Sequence, residues 1–227
     1  MYCISINYGF MFITLAITLL AQYFVSSSYK KYSKISNGKN ISGAEVARKI
    51  LDNNGLKDVY VIETRGELTD HYDPTRKVIK LSTKVFHGNT IASAAVAAHE
   101  CGHAIQDKDE YTFMRIRSAI VPLVNFSSYA GYLAILIGLL FSNPKVFWIG
   151  IILLCIILLF QLVTLPVEFD ASKRALEQLH KHKLVSKDDI ESSKNMLTAA
   201  AFTYVASLVT TILQILRLIL IFTDRRD

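Results

Sequence analysis

The chain has 227 residues, carries a formal net charge of +6 and is 52% hydrophobic, with a mean hydropathy of +0.32. Soluble domains are about 45–50% apolar, and here the excess is concentrated in stretches of about 20 residues, which argues against a wholly soluble protein. No basic run is interleaved with aromatic residues, so anionic lipid explains the positive charge better than nucleic acid does. The cysteines at positions 3, 101 and 155 are too scattered for a disulfide framework.

The first apolar stretch runs from Gly9 to Val25 and is long enough to cross a bilayer, so residues 1–28 are predicted to form an N-terminal transmembrane anchor. Met1–Phe10 contains no Lys or Arg, and no small-x-small cleavage site stands out, which favours a retained anchor over a cleaved signal peptide. Three lysines between positions 30 and 34 follow directly. By the positive-inside tendency, this end of the anchor is predicted to face the cytoplasm.

Residues 29–117 are predicted to form a small α+β cytoplasmic domain that begins with a basic, polar linker over Lys30–Lys39. Ser42 is a favourable N-cap and Glu45, three residues later, completes a capping box, which indicates a helix that ends near Gly55. The pattern beyond this helix predicts two short strands, Val59–Ile62 and Val78–Ser82, with a turn or loop between them at Asp70–Pro74.

The next predicted element is a helix from Thr90 to about Lys108, which contains the run His99-Glu100-Cys101-Gly102-His103. Residues four apart stack on one helix face, so the two histidines can offer two imidazole nitrogens to one metal ion. Glu100 lies beside them, where it can act on water at that metal as a general base. This spacing is typical of zinc proteases; the plainer alternative is a surface helix with solvated or hydrogen-bonded histidines. Gly102 is a poor mid-helix residue unless another group approaches closely.

A transmembrane hairpin is predicted over residues 118–166. Ser118–Phe141 carries no charge, Val146–Val167 is nearly all Ile, Leu, Val and Phe, and the short linker between them can only be a turn. Two crossings return the chain to the side that it left. Whatever follows Pro166 is therefore predicted to lie on the same side of the membrane as His99.

The segment 167–198 is predicted to be a juxtamembrane helix that supplies the third metal ligand, because a catalytic zinc takes three protein ligands and keeps one position for water. Glu168 and Asp170 are the acids near the membrane, and at two residues apart on a helix they point about 200° apart, so only one can meet the metal. We favour Glu168, with Asp170 either supporting a ligand or pairing with Lys173 or Arg174. The alternative is that both acids simply favour a helix N-terminus.

The last apolar stretch, Ala199–Phe222, carries a single charge, Arg217. Residues 199–222 are predicted to form a C-terminal transmembrane helix, followed by a tail at 223–227. An arginine costs about 2.5–3.5 kcal/mol at the bilayer centre. Arg217 lies near the end of its stretch, where its stem can reach the interface.

Two runs carry the strongest pattern: His99-Glu100-x-x-His103 and, after the hairpin, Pro166-Val167-Glu168-Phe169-Asp170-Ala171-Ser172. Further matches lie at Leu68–Pro74, Ile79–Ser82 and Leu197–Val205. Together they resemble the YugP-type neutral zinc metallopeptidases of bacteria, from about Ser42 onward. The resemblance implies a membrane protease that binds one Zn²⁺, from a family whose substrates are largely undefined.

The chain resembles, more distantly, the membrane gluzincins of the HtpX and CAAX-protease type. Those enzymes carry a Glu-Phe-x-Ala-Asp motif whose Glu binds zinc, and Glu168 matches that Glu. Ser172 stands where they have Asp, so Asp170 is expected to take over the role of the missing carboxylate. The expected fold class is a mainly α membrane protein, with about four transmembrane helices and a small α+β zincin-like cytoplasmic domain.

The expected function is that of a membrane-embedded zinc metalloendopeptidase, with Glu100 as general base acting on zinc-activated water. The candidates for the donor to the oxyanion are His71, Tyr72 and His180. His71 and Tyr72 can equally fix a turn. His180 and His182 can also bind metal, but they lie in a Lys-rich run that is typical of a solvated helix end.

The expected location is the cell membrane, in a multi-pass protein whose active site faces the cytoplasm. Its expected partners are the lipid bilayer and membrane-protein or peptide substrates, without nucleic acid. Strand Val78–Leu81 is expected to offer an open edge that holds substrate extended, or to be only a structural edge strand. Two other functions are a non-catalytic zinc-binding membrane adaptor and a transporter or channel; the few polar residues of the membrane stretches argue against the second.

Overall fold

The computed structural model describes residues 2–224, with side chains for residues 7–224, so Met1 and residues 225–227 of the predicted tail lie outside the described part. The chain is mainly helical. Its elements in chain order are α1 (Tyr2–Tyr32), α2 (Gly43–Asn53), β1 (Tyr60–Thr64), β2 (His71–Asp73), β3 (Val78–Ser82), α3 (Thr83–His87), α4 (Ile91–Lys108), α5 (Thr112–Leu140), α6 (Pro144–Lys181) and α7 (Asp189–Asp224).

Four helices are long and apolar enough to cross a membrane, which confirms this part of the predicted architecture. The candidate spans are Asn7–Tyr32, Thr112–Leu140, Pro144–Lys181 and Asp189–Asp224. Many large apolar side chains on these helices are exposed, among them Phe12, Phe126 and Leu140. Because water covers such surfaces at a high free-energy cost, lipid is the medium that suits them.

The chain forms two compact units. Of the described residues, the first comprises 2–22, Arg115–Leu165 and 203–224. The second comprises Tyr23–Met114 and Pro166–Phe202. The candidate site lies in the second unit.

The core of the first unit is built around Phe147. Its side chain is fully buried, and its ring stacks on Phe222 with 4.0 Å between the centroids. Gly138 permits close packing, because a Cβ at that position would lie 2.6 Å from the Phe147 backbone nitrogen. Arg217, predicted to reach the interface, is half-buried, and its Nε has no hydrogen-bond partner among the described residues.

The second unit contains the capped helix that the sequence predicts. The Ser42 hydroxyl accepts a hydrogen bond from the Glu45 backbone N–H at 3.2 Å, and the Glu45 carboxylate accepts one from the Ser42 backbone N–H at 2.7 Å. This capping box satisfies N–H groups that the helix itself leaves unpaired. Helix α2 then buries Ile50 and Leu51 completely in the core that it shares with α4.

The three-stranded sheet has the order β1-β3-β2, so β3 is its central strand. Tyr60 of β1 pairs with Val78 in a parallel arrangement, and His71 of β2 pairs with Lys80 in an antiparallel one. The expectation that Val78–Leu81 offers an open edge is therefore wrong, because both of its sides are occupied. The open edges belong to β1 and β2.

The segment Asp70–Pro74 is not only a loop, since it contains strand β2. A strand of three residues is too short to produce a period-2 pattern, so the Asp and Pro turn signals dominated the prediction. The pairing with β3, which lies farther along the chain, is what makes these residues extended.

The predicted linker Lys30–Lys39 is not a free tether. The Ile35 carbonyl accepts a hydrogen bond from the Ile91 N–H at 2.9 Å, which ties the segment to the first turn of α4. Asn37 is fully buried, and its side-chain amide donates to the Ile41 carbonyl at 2.6 Å.

Helix α6 runs through Pro166 without interruption and ends at Lys181. The segment 167–198 therefore comprises the end of α6, a connection over residues 182–188 and the beginning of α7.

Candidate metal centre

The two motif histidines lie one turn apart on α4, as the sequence predicts. The helix begins after Thr90, whose hydroxyl accepts a hydrogen bond from the Ser93 N–H at 3.1 Å. The rings of His99 and His103 have centroids 4.8 Å apart and planes at 82° to each other. Both side chains are mostly buried, with 17% and 10% of their surface exposed.

Helix α6 approaches the motif at Gly102. A Cβ at this position would lie 2.5 Å from the Ala171 carbonyl oxygen, much closer than side-chain carbons approach backbone in real structures. The backbones of α4 and α6 are therefore almost in contact, which is the close approach that a glycine in mid-helix suggested.

This approach brings Glu168 to the two histidines. Its Oε2 lies 3.3 Å from His99 Nε2 and 3.7 Å from His103 Nε2. The Glu168 side chain is only 3% exposed. Two imidazoles from α4 and one carboxylate from α6 thus converge on one small volume.

The geometry of these three groups suits a zinc ion. One ligand atom from each of the three lies within 4.8 Å of the other two. Bonds of about 2.0–2.1 Å in a tetrahedral zinc site separate neighbouring ligand atoms by roughly 3.3–3.4 Å, and the two nitrogen–oxygen distances of 3.3 and 3.7 Å are close to that value. Two neutral nitrogens and one carboxylate also form a donor set that zinc prefers.

The local charge favours a cation as well. Burial opposes protonation of His103, but the hydrogen bond that its ring donates to Glu168 and the charge of Glu100 outweigh burial and raise the pKa of His103. The two carboxylates therefore create a negative potential at the position where a metal would bind.

The other nitrogen of each imidazole has a neutral partner. His103 Nδ1 lies 3.0 Å from Gln106 Oε1, and His99 Nδ1 lies 3.2 Å from Ser172 Oγ. Metal-binding histidines almost always donate their second N–H to an oxygen atom of this kind, which orients the ring.

Glu100 is buried next to the cluster but does not belong to it. Its side chain is 7% exposed, and within residues 7–224 its carboxylate accepts no hydrogen bond. The group of candidate metal ligands comprises His99, His103 and Glu168 and not Glu100. A carboxylate without a partner at the edge of such a cluster is free to accept a proton from a bound water molecule.

Asp170 joins the two helices beside the cluster. One of its oxygens accepts hydrogen bonds from Gln106 Nε2 at 2.9 Å and from Arg174 Nε at 2.6 Å. Arg174 also reaches Asp109, which follows α4, at 2.5 Å. Asp170 thus contacts both a ligand-supporting residue and Arg174, whereas Lys173 pairs with Glu177.

Asp170 was expected to take over the role of the carboxylate that the distant relatives carry at the position of Ser172. In this fold, Asp170 does not contact either histidine directly. Ser172 itself contacts His99, and Asp170 reaches His103 only through Gln106.

The candidate oxyanion donors in the sheet are engaged elsewhere. His71 Nδ1 lies 2.8 Å from the Thr69 carbonyl oxygen, and the Tyr72 hydroxyl donates to Asp107 at 2.8 Å. Burial, together with that hydrogen bond to Asp107, raises the pKa of Tyr72, so the phenol stays protonated. Tyr72 links strand β2 to the end of the motif helix.

His180 and His182 are not part of the cluster formed by His99, His103 and Glu168. His180 is exposed in the last turn of α6, and His182 Nε2 lies 3.1 Å from Gln178 Oε1. Their positions agree with a solvated helix end.

Gln106 is the residue at this site that the sequence analysis missed. It lies three residues after His103, on the same helix face, and it is fully buried. Its helical spacing from the two histidines was the one signal that the sequence offered, and its burial became visible only in the structure.

Comparisons with known proteins agree with this geometry. Residues 7–223 match the family described as "Putative neutral zinc metallopeptidase". The chain is 42% identical over 221 residues to "Putative membrane protease YugP" of Bacillus subtilis (strain 168), a match that covers 96% of this chain and 98% of that protein. No solved structure matches the chain. With the four apolar helices, the relative indicates a multi-pass membrane protein.

Proposed function

We infer the function from the family, because this chain belongs to the neutral zinc metallopeptidases described above. We propose that it is a membrane-embedded zinc endopeptidase in which His99, His103 and Glu168 hold one zinc ion and Glu100 is the general base. The observation that carries the proposal is the convergence of three zinc-type donors from two helices, with an unpartnered buried carboxylate beside them.

In the proposed reaction, Glu100 transfers the proton and the three ligand residues hold the metal. When bound, zinc supplies a Lewis acid that lowers the pKa of a coordinated water molecule to about 7. Glu100 accepts the proton of the attacking water and delivers it to the leaving amine nitrogen. His99 and His103 would hold the zinc through imidazole nitrogens and Glu168 through its carboxylate.

We further propose that substrates are membrane proteins with accessible loops or tails, or peptides brought to the bilayer. The apolar run of α6 ends near Leu165, and Glu168 follows within one turn of the same helix. A ligand at this position of a membrane-crossing helix favours a metal centre close to the membrane surface.

Strand β2 is the edge that we propose for substrate binding, in place of β3. It is an outer strand of the sheet, and Tyr72 ties it to α4 through Asp107. A peptide that pairs with its open side would be held extended beside the motif helix.

The central test of the function is the Glu100→Gln variant. It is expected to keep one zinc per chain and to lose cleavage by about 10²–10⁴-fold, since an amide cannot accept the proton. The measurements are zinc content by mass spectrometry and cleavage of a quenched-fluorescent peptide library by protein reconstituted in vesicles. Glu177→Gln is the matched control, because Glu177 is an exposed acid on α6 that pairs with Lys173.

Three results are decisive. Full zinc with cleavage lost in Glu100→Gln alone supports the enzyme. If the unmodified chain binds a full equivalent of zinc but cleaves no peptide faster than Glu100→Gln does, the protein is the non-catalytic zinc-binding adaptor instead. Equal cleavage by both variants rules out Glu100 as the base.

We propose that the active site faces the cytoplasm, because lysines end α1 on the side from which the second unit begins. Alkaline phosphatase, which is active only outside the cytoplasm, is expected to be active when fused after Asp227. Green fluorescent protein is expected to fluoresce when inserted in the 182–188 connection. Fluorescence of the same protein fused after Asp227 would mean that α7 does not cross the membrane.

A further inference from the structure

The outer nitrogens of the two imidazoles impose a condition on their partners. His99 and His103 both turn Nε2 toward Glu168, so a metal in this cluster binds at Nε2. An imidazole that gives its Nε2 lone pair to a metal must carry its proton at Nδ1. The atoms that face Nδ1, Gln106 Oε1 and Ser172 Oγ, must therefore accept a hydrogen bond.

The Gln106 amide can satisfy this condition in only one orientation. With Oε1 toward His103, its Nε2 donates to the Val167 carbonyl at 2.8 Å and to Asp170 at 2.9 Å. A flipped amide would bring its oxygen against the Val167 carbonyl and the Asp170 carboxylate, and its NH₂ against the His103 N–H. Each of these contacts would join two groups of the same kind in a fully buried position, where unpaired polar groups are costly.

The acceptors that fix this amide are themselves held in place. The Val167 carbonyl belongs to the α6 backbone. Asp170 pairs with Arg174, and Arg174 pairs with Asp109 at the end of α4. The orientation of Gln106 is thus set by α6 and the Arg174 pairs, independently of His103. It follows that Gln106 presents an acceptor to His103 Nδ1 before any metal arrives.

Ser172, the partner of His99, does not fix the position of the proton on that ring. A serine hydroxyl rotates and can donate or accept, and Ser172 Oγ lies 3.2 Å from His99 Nδ1 in a partly exposed position. His99 can therefore hold its proton on either nitrogen when metal is absent.

We propose that Gln106 is the positioning residue of the metal centre: it holds His103 in the Nδ1–H tautomer, with the Nε2 lone pair directed at the metal position, while Ser172 leaves His99 adaptable. This inference rests on the proposed zinc site. It makes His103 the preorganised ligand and His99 the one that adjusts when the ion binds.

The test removes the amide without removing a ligand. Gln106→Leu is expected to weaken zinc binding by about 10–100-fold, the usual effect of losing an outer partner of a metal-binding histidine. Ser172→Ala is expected to weaken it less than about threefold, since water can replace a partly exposed hydroxyl. Zinc affinity is measured on purified metal-free protein by competition with a chelator, so the measurement does not depend on cleavage.

A second measurement separates positioning from folding. In metal-free protein at alkaline pH, ¹⁵N NMR of labelled histidines is expected to report the Nδ1–H tautomer of His103, and Gln106→Leu is expected to lose it. Gln106→Met, which preserves the volume without the hydrogen bonds, replaces the leucine variant if that variant does not fold.

Cys101→Ala is the structural control. Cys101 is fully buried in the core on the same helix, and its thiol donates a hydrogen bond to the Ala47 carbonyl at 3.6 Å. The variant is expected to lower thermal stability while leaving zinc affinity and the His103 tautomer unchanged.

The inference is overturned if Gln106→Leu or Gln106→Met keeps both the unmodified zinc affinity and the Nδ1–H tautomer. It is also overturned if Cys101→Ala changes the zinc affinity and the His103 tautomer as much as the Gln106 variants do. A chain that binds zinc with these Gln106 effects but cleaves nothing contradicts the proposed endopeptidase and leaves this inference standing.

Discussion

Replacing Glu168 by glutamine is expected to release zinc from the protein and to abolish zinc-dependent cleavage. Glu168 is the one carboxylate whose oxygen lies within 4 Å of both motif imidazoles among the described residues. Without its charge, two neutral nitrogens are left to hold a dication. Losing an outer partner alone costs about 10–100-fold in metal affinity, so losing a direct ligand is expected to raise the zinc Kd by more than about 100-fold.

The glutamine keeps the size of the side chain, so loss of zinc cannot be attributed to a cavity. Zinc content after dialysis and chelator competition measure the effect. Glu177→Gln is the control on the same helix: Glu177 is an exposed acid that pairs with Lys173, so charge and packing at the metal position stay unchanged and the variant is expected to keep its zinc. Equal zinc in Glu168→Gln and the unmodified chain would mean that another group is the third ligand.

Replacing Gly102 by alanine is expected to separate the two helices that build the site. Alanine is the better helix former by about 1 kcal/mol, so propensity alone predicts a gain in stability. The added Cβ, however, would lie 2.5 Å from the Ala171 carbonyl oxygen, and a backbone atom cannot rotate away. Overpacking of this kind typically costs about 1–3 kcal/mol. The clash therefore outweighs propensity.

The same displacement is expected to move Glu168 away from the histidines, because Glu168 and Ala171 lie on one turn of α6. Gly102→Ala should therefore lose zinc as well as thermal stability. Gly9→Ala is the control, since nothing lies within 4 Å of a Cβ at that position. A Gly102→Ala protein with full zinc and unchanged thermal stability would contradict the close approach of α4 and α6.

Local signals in the sequence were sufficient for the elements that depend on near neighbours. The capping box of Ser42 and Glu45, the extent of α4 and the four apolar helices follow from spacing within one turn or from composition over about 20 residues. The hydrogen bonds that define these elements are made within each element, so tertiary contacts did not change them.

Strand order could not be predicted in the same way. Nothing in the residues Val78–Ser82 specifies whether one neighbour or two will pair with them, since pairing joins segments that are distant along the chain. The three residues of β2 are also too few to be recognised by periodicity.

The sequence by itself determined that His99 and His103 share one face of a helix, with Glu100 beside them, because helical geometry fixes the direction of residues four apart. Only the tertiary structure decided that Glu168 reaches both rings and that Gln106 supports one of them. Those contacts depend on how closely two helices pack, and that distance is set by the missing side chain at Gly102 against the backbone of Ala171.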